Sequence, residues 1–404
     1  MRYHARMAIT TDSLRALIRQ ELADLVEIRH DLHAHPELGY QENRTSGIVR
    51  EELRKAGVEV KTGLARGTGV LGHLPGPGDD AIGLRADMDA LPIQEVNDLE
   101  YRSQHDGVMH ACGHDGHTTM LIGAARVLAK IASTDGLRRP VTFVFQPAEE
   151  GGAGAREMIN DGCLDGNVLG PPIREIFGLH GWPRIPLGSV GSRPGPMLAA
   201  ADSFDITISG VGSHAAWPHV GNDPIVAGAA VVTALQTISS RNIRALDPIV
   251  VSVTQFHSGT TYNVIPGQAQ LTGTVRTLNP AVQDQAEKRL SEIATAIAGA
   301  HGCTAEVRYS RGYPLTINDT AAVETFRTVA REAFGPAHVL EIDEPVMGGE
   351  DFAFYAQKVP ACFFVLGLVP DGVLDFPDLH QPTFNFNDDA MAQGIEMFCR
   401  LALR

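Results

Sequence analysis

The chain has 404 residues, a formal net charge of −15, 44% hydrophobic and 20% charged residues, and five cysteines. This length and composition predict a soluble α/β protein with more than one domain, and the scattered cysteines favour a reducing cytoplasm over a disulfide framework. The acidic charge argues against nucleic acid and anionic membranes as partners, no apolar run reaches membrane-spanning length, and the first residues lack the apolar core of a signal peptide.

The first elements in chain order are two amphipathic helices, one opening at Ser13 and one from Asn43 to Ala56. A buried strand then begins at Ala81 and runs out into Asp87 and Asp89. Carboxylates at the carboxyl end of a strand lie where open α/β sheets form their sites. The pattern therefore places a first pair of candidate site residues at this edge of a sheet.

A cluster of thiol and imidazole side chains comes next. Cys112, His114 and His117 lie within six residues, directly before an apolar helix predicted over Thr118 to Ala132. Thiolate and imidazole together are ligands that a borderline-soft divalent metal such as zinc prefers. The alternative is a histidine-rich helix start with solvated rings, but the density of ligand types favours a metal site.

Two adjacent carboxylates, Glu149 and Glu150, follow the strand that begins at Val141 and precede a glycine-rich helix entry. Neighbouring side chains point in different directions, so one can bind a metal while the other faces the reacting water. A solvated helix N-terminus, which also favours acidic residues, is the alternative interpretation.

Two further histidines complete the set. His180 follows a strand predicted over Ile173 to Gly178, and His380 follows a strand beginning at Cys362. Together the sequence supplies five candidate ligands, with Glu149 left over. Five ligands suit two metal ions better than one closed tetrahedral site. The candidate ligands are Cys112, His114, Glu150, His180 and His380.

Between these pieces the pattern changes to strand, helix, strand, strand, helix, strand, with its first helix predicted over Pro224 to Arg241. This order is that of the split β-α-β unit. Because His380 lies beyond it, we expect an inserted domain over 199–312 within a discontinuous catalytic domain over 1–198 and 313–404. The predicted fold is α/β, with a mixed sheet flanked by helices and a ferredoxin-like lid.

With these residues assembled, the chain resembles the M20 family of metallopeptidases, in the branch of aminoacylases, hippurate hydrolases and indole-acetyl-amino-acid hydrolases. The motifs that carry the resemblance occur in the family's order along nearly the whole chain. They are Arg85 to Pro92, His110 to Asp115, Gln146 to Ala155, Leu179-His180, Gly349 to Phe352, and His380.

The resemblance implies a dinuclear metal amidohydrolase that cleaves N-acyl amino acids, with a lid that usually forms a dimer. Cys112 resembles the ligand that bridges the two metals, and Glu149 resembles the general base. In the lid, His214 would stabilise the oxyanion, often in the partner's site, and Asn263 and Arg276 would hold the substrate carboxylate.

One position departs from the wider family, in which a histidine ligand occupies the place of Asp87. The resemblance leaves open whether Asp87 contacts metal, and it makes Asp89 a residue that orients others. We expect two divalent ions, zinc before manganese, cobalt or nickel, and a cytoplasmic homodimer or dimer-based oligomer. The alternative functions are an M20-type dipeptidase or carboxypeptidase and, in a different class, a two-lobed small-molecule binding protein.

Overall fold

The computed structural model describes residues 9–404 as two units of mixed α and β structure. The helices are α1 (Thr11–Ala34), α2 (Asn43–Lys55), α3 (His114–Thr134), α4 (Gly154–Asn160), α5 (Pro224–Leu235), α6 (Pro280–Ala300), α7 (Thr320–Phe334), α8 (Ala353–Ala356) and α9 (Met391–Leu403). The strands are β1 (Glu59–Leu64), β2 (Gly69–Leu74), β3 (Ala81–Asp87), β4 (Val141–Gln146), β5 (Ile173–Pro186), β6 (Val190–Ser192), β7 (Gly195–Leu198), β8 (Ala200–Ser209), β9 (Ser213–His214), β10 (Ile249–Ser258), β11 (Val264–Ile265), β12 (Gln268–Thr277), β13 (Thr304–Tyr313), β14 (Thr316–Asn318), β15 (Val339–Glu341) and β16 (Ala361–Val369).

Among the described residues, the first unit comprises 9–195, Ile317–Asp343 and Phe354–Arg404 and contains a mixed sheet in the order β1-β2-β4-β3-β5-β16-β6-β15. The central strands β4, β3, β5 and β16 run parallel to one another. Every residue of β3 and β4 is buried, which explains their mainly apolar sequence, since helices cover both faces of such sheets. Parallel strands bring their carboxyl ends to one edge, and the candidate site forms there.

The second unit comprises Pro196–Thr316 and Glu344–Ala353, and its four-stranded sheet has the order β10-β12-β8-β13. All three pairings are antiparallel. Burial along β8 alternates, so one face of the sheet packs on α5 and α6. The strand and helix order and the sheet order confirm the predicted ferredoxin-like insertion in an α/β protein.

The structure differs from the sequence pattern in several element bounds. β5 does not end at Gly178 but continues to Pro186, because β16 goes on pairing with it through His180 and Trp182. His180 therefore lies within a strand. Helix α3 starts at His114, four residues earlier than predicted.

The second unit also differs from the prediction in two places. The helix predicted to reach Arg241 ends at Leu235, and a π-helical turn follows at Ile238–Asn242. Residues 344–353, which the sequence analysis assigned to the catalytic domain, belong to this unit. Backbone hydrogen bonds hold them in this unit: the Ala199 N–H donates to the carbonyl oxygens of Val346 at 3.0 Å and of Gly348 at 2.9 Å. No helix within residues 9–404 is both long and apolar enough to cross a membrane.

Candidate metal centre

The candidate ligands of the first unit come together although they are spread over nearly 270 positions of the sequence. Cys112 precedes α3, His114 opens it, Glu150 follows β4, His180 lies in β5, and His380 follows β16. Four overlapping groups that contain candidate ligands have ligand atoms within 4.8 Å of one another. These groups are Cys112 with His114 and His180, Cys112 with Glu150 and His380, His114 with Glu149 and Glu150, and His114 with Asp87 and His117.

The turn into α3 depends on a glycine. Gly113 has φ 88°, a left-handed conformation that places Cys112 and His114 on the same side of the turn. A Cβ at Gly116, in the first turn of the helix, would lie 2.7 Å from the ring of Phe386. The small residues therefore let Phe386 pack against the ligand-bearing turn and hold it in place.

His380 lies on a strained loop that is anchored beside Cys112. Its φ is 65°, which is uncommon for a residue with a side chain, and its backbone N–H donates to the Ala111 carbonyl at 2.8 Å. The imidazole Nε2 lies 3.1 Å from Glu150 Oε1, and 52% of the side chain is exposed. His380 thus stands at the open side of the cluster.

Two imidazoles present the same nitrogen to the centre. His180 donates from Nδ1 to the Gly181 carbonyl at 2.8 Å, and His114 donates from Nδ1 to the Asp89 carbonyl at 2.9 Å. Each ring therefore leaves Nε2 facing the centre. Within the described chain, Nε2 of His114 is buried and makes no hydrogen bond, and Nε2 of His180 lies 3.4 Å from Cys112 Sγ.

This donor set fits a divalent metal. Zinc binds thiolate sulfur at about 2.3 Å and imidazole nitrogen at about 2.0–2.1 Å, so two such ligands of one ion stand about 3.5 Å apart. The separation between Cys112 Sγ and His180 Nε2 matches that spacing. A buried imidazole nitrogen without a hydrogen bond, as in His114, is otherwise costly and unusual.

The protonation of the cluster reflects crowded negative charge. Burial lowers the pKa of His114, but the charges of Asp87 and Asp89 outweigh burial and raise it to about 10. Burial raises the pKa of the Cys112 thiol well above its usual range, and Glu150 and Glu149 raise it further. A divalent cation would displace both protons, since metal ligands bind in their deprotonated forms.

Asp89 organises the loop that carries the two glutamates. Its Oδ1 accepts the backbone N–H of Glu149 at 2.9 Å, and its Oδ2 accepts that of Glu150 at 2.9 Å. The side chain is fully buried, with Oδ1 also 3.3 Å from His114 Nδ1. One carboxylate therefore fixes the backbone of Glu149 and Glu150 and also contacts the imidazole of His114.

Asp87 is held by protein donors. Arg85 donates to its Oδ2 at 2.7 Å, and His117 Nδ1 lies 2.7 Å from its Oδ1. Oδ2 is 3.7 Å from His114 Nε2. Burial opposes ionisation of Asp87, but His114 and Arg85 hold its pKa well below the usual range.

Two residues of this neighbourhood were missed from the sequence. His117 was seen in the cluster but given no role, although its spacing of three from His114 on a helix places both on one face. Glu42 gave no signal. Its carboxylate is buried, accepting the Ala148 N–H at 2.8 Å and the Thr68 hydroxyl at 2.9 Å.

The remaining predicted site residues lie in the second unit, described here by itself. His214 and Asn263 are neighbours: His214 pairs with Val264, and the Ala215 N–H donates to the Asn263 carbonyl at 3.0 Å. The imidazole of His214 is exposed and accepts the Ala216 N–H at 3.0 Å.

Arg276 on β12 is partly buried, and burial lowers its pKa although Asp202 opposes the shift. Among the described residues its guanidinium has neither a hydrogen bond nor an ion pair. A Cβ at Gly349 would lie 3.0 Å from its Nη1. The guanidinium is therefore a partly desolvated cation next to Gly349, which has no side chain.

Comparisons with known proteins agree with this geometry. A model of peptidase family M20/M25/M40 matches residues 83–404. An N-acetyl-L-cysteine deacetylase of Bacillus subtilis is 40% identical over 372 residues, covering 92% of this chain and 85% of the relative. The IAA-amino acid hydrolase ILR1-like 4 of Arabidopsis thaliana is 40% identical over 384 residues, covering 94% and 85%. The crystal structure of YxeP from Bacillus subtilis, described as a dinuclear metal-binding peptidase of the M20 family, has a TM-score of 0.79 at 34% identity, covering 96% of this chain and 98% of that chain.

The buried Glu42 generates a pH prediction for the metal-free protein. Burial and the charge of Asp89 raise its pKa from 4.5 to about 7. An acid whose pKa is higher in the folded than in the unfolded chain binds an extra proton on folding, so stability falls as the pH rises through this window and stays lower above it. We expect Glu42→Gln to be more stable relative to wild type at pH 8 than at pH 5, by at most about 3 kcal/mol.

The measurement is the free energy of unfolding from urea denaturation at both pH values. Glutamine can still accept the Ala148 N–H, so the variant removes the charge and keeps the contact. Glu51→Gln, at an exposed position of α2, is the control. A difference between wild type and Glu42→Gln that is the same at both pH values would contradict the prediction.

Proposed function

This chain belongs to peptidase family M20/M25/M40, as its motifs predicted, and on that premise we propose that it hydrolyses N-acyl amino acids to a carboxylic acid and a free amino acid. The family makes it a hydrolase of amide bonds. The N-acyl substrate class is supported by two relatives that are named for acting on N-acetyl-L-cysteine and on IAA-amino acids.

The observation that carries the proposal is the pair of adjacent glutamates on a backbone fixed by Asp89. Glu150 lies against His380, whereas Glu149 is the buried neighbour within reach of His114. One carboxylate is thus available as a ligand and the other as a base. That division of labour is what metal-assisted hydrolysis of an amide requires.

The residues that would hold two divalent ions are the five candidate ligands. Their soft thiol and imidazole donors, together with one carboxylate, favour zinc, with manganese, cobalt and nickel as alternatives. When bound, the ions would polarise the amide carbonyl and lower the pKa of water towards neutrality. The ligands are Cys112, His114, Glu150, His180 and His380, with Asp89 as the orienting residue.

The proton transfers fall to Glu149. It accepts a proton from the attacking water and returns it to the nitrogen of the leaving amino acid. His214 donates a hydrogen bond to the oxyanion, for which its exposed position on β9 makes it accessible. Asn263 and the unpaired guanidinium of Arg276 bind the substrate carboxylate, a match for the planar fork of arginine.

We also propose that the second unit forms a homodimer. Apolar side chains are exposed on α5 and on the edge strand β10, including Ile225 (40%), Val226 (53%) and Phe256 (38%). Exposed apolar surface next to an open strand edge is typical of an interface. Sedimentation velocity measures the oligomeric state, and a monomer at micromolar concentration would contradict the proposed dimer.

The five cysteines, all buried and without a disulfide, support a reducing compartment such as the cytoplasm.

Two alternatives make different predictions. An M20-type dipeptidase or carboxypeptidase would prefer small peptides, and YxeP is described as a peptidase. A comparison of N-acetyl, N-benzoyl and longer N-acyl amino acids with dipeptides separates the two. A two-lobed binding protein would bind its ligand without turnover and would tolerate the loss of Glu149.

We expect Glu149→Gln to retain its metal ions but to lose about 10²–10⁴-fold in turnover, because the base is removed and the ligands are intact. Metal analysis and steady-state kinetics on an N-acetyl amino acid measure the two properties. Glu157→Gln, on α4, is the matched control. Near-normal turnover in Glu149→Gln would remove this residue from the mechanism.

We expect Arg276→Met to raise KM for N-acyl amino acids by about 10–100-fold, because a charge-assisted pair with the substrate carboxylate is lost. The same variant should change little for a substrate whose carboxylate is replaced by a carboxamide. Arg308→Met, at an exposed position of β13, is the control. Equal effects on both substrates would contradict the role.

A further inference from the structure

The strand that carries His180 loses one of its partners just before the histidine. β3 pairs with β5 only as far as Arg85 and Gly178, whereas β5 continues to Pro186. On the other side, β16 still pairs with β5 at Gly181. Within the described chain, the N–H and the carbonyl of Gly181 therefore take side-chain partners in place of a strand.

Those partners are two imidazoles. The Gly181 N–H donates to Nε2 of His117 at 2.8 Å, and the Gly181 carbonyl accepts Nδ1–H of His180 at 2.8 Å. His117 thus occupies the place of the missing strand. The backbone N–H and carbonyl of one residue, Gly181, thus link the ring of His117 to the ring of a candidate metal ligand.

The hydrogen bonds fix the tautomer of His117. A backbone N–H can only donate, so Nε2 of His117 must be the acceptor and Nδ1 must carry the proton. Nδ1–H then donates to Asp87 Oδ1 at 2.7 Å, and Arg85 donates to the other oxygen at 2.7 Å. All three side chains are fully buried.

Packing leaves the peptide little freedom. A Cβ at Gly181 would lie 2.7 Å from the ring of Phe386, so only glycine fits between this ring and the strand. His117 and Phe386 meet edge to face at 6.0 Å, and His117 and His180 at 4.6 Å between ring centroids. The orientation of His180 therefore depends on the two backbone hydrogen bonds of Gly181.

We infer that His117 is a positioning residue: by accepting the Gly181 N–H it fixes the backbone of Gly181, whose carbonyl orients His180 so that Nε2 faces Cys112, where it would bind a metal ion together with His114. Nothing in the comparisons assigns this role. The inference rests on the metal centre of the proposed function and concerns its affinity, not the amide chemistry. Partners behind a metal ligand are worth about 10–100-fold in metal affinity.

Two near-isosteric variants separate the two hydrogen bonds of His117. Glutamine places an oxygen near the position of Nε2, so His117→Gln keeps an acceptor for the Gly181 N–H. Asparagine places its amide nitrogen near Nδ1, so His117→Asn keeps the donor to Asp87 and loses the acceptor. We expect His117→Asn to lose one of its two zinc ions per chain at a free chelator concentration about 10–100-fold lower than wild type requires. We expect the zinc affinity of His117→Gln to stay close to that of wild type.

The measurement is competition between the purified protein and a zinc chelator, with zinc counted per chain and the melting temperature of the metal-free proteins recorded. Retention of both ions by His117→Asn would overturn the inference. Equal losses in both variants would also overturn it, because the acceptor would then be irrelevant. A wild-type chain that binds no zinc would instead reject the proposed function, and the inference with it.

If His117→Asn does not fold, Asp87→Asn tests the same connection. Arg85 can only donate, so it claims the single amide oxygen of the new asparagine and leaves an NH₂ facing Nδ1 of His117. The proton of His117 would then move to Nε2, against the Gly181 N–H. We expect Asp87→Asn to weaken zinc binding strongly in wild type and several-fold less in the His117→Gln background, which has no tautomer to switch. Equal effects in the two backgrounds would overturn the inference.

Discussion

The structure depends above all on the concentration of ionisable groups at one buried edge of the large sheet. Bringing ionised groups out of water costs on the order of several kcal/mol each unless opposite charge compensates them. Without a metal ion, the compensation comes from protons: the pKa of His114 is raised to about 10, and Cys112 keeps its thiol proton because its pKa lies well above the usual range. A divalent cation replaces those protons. The ion that compensates the buried negative charge is therefore also the ion that amide hydrolysis requires.

The fold stabilises this concentration of ionisable groups by fixing the backbone segments that carry the candidate ligands. β3, β4 and β5 are parallel, so the segments that follow β3 and β4 begin at one edge. Asp89 then ties the Glu149 and Glu150 backbone and His114 together, and Glu42 supports the same loop from behind at Ala148. Left-handed conformations at Ala148 and His380 are the local cost of turning these loops back towards the centre.

The residues that come together at this edge could be predicted from the sequence because ligand types and strand ends are local signals. Cys112 and His114 stand together in the chain, and Glu149 and Glu150 follow a strand of mainly apolar sequence. The inserted ferredoxin-like domain was likewise predicted from periodicity, and its strand order is confirmed. Substrate contacts of His214, Asn263 and Arg276 stay a proposal.

What could not be predicted depends on tertiary pairing. The extension of β5 past His180 follows from its pairing with β16, which lies nearly 190 positions later. His117 can contact the Gly181 backbone only because the pairing of β3 with β5 stops before His180. Glu42 flanks a helix, and no local sequence pattern indicates its burial. The assignment of residues 344–353 to the second unit rests on backbone hydrogen bonds to the segment around Ala199.

The central claim is that this edge of the sheet is a dinuclear metal centre for amide hydrolysis. The most direct measurement is a titration of the metal-free protein with zinc, in which bound zinc per chain and hydrolysis of an N-acetyl amino acid are followed together. We expect two ions per chain and full activity only as the second ion is bound. Hydrolysis by the metal-free protein, or saturation of binding without any hydrolysis of N-acyl amino acids, would contradict it.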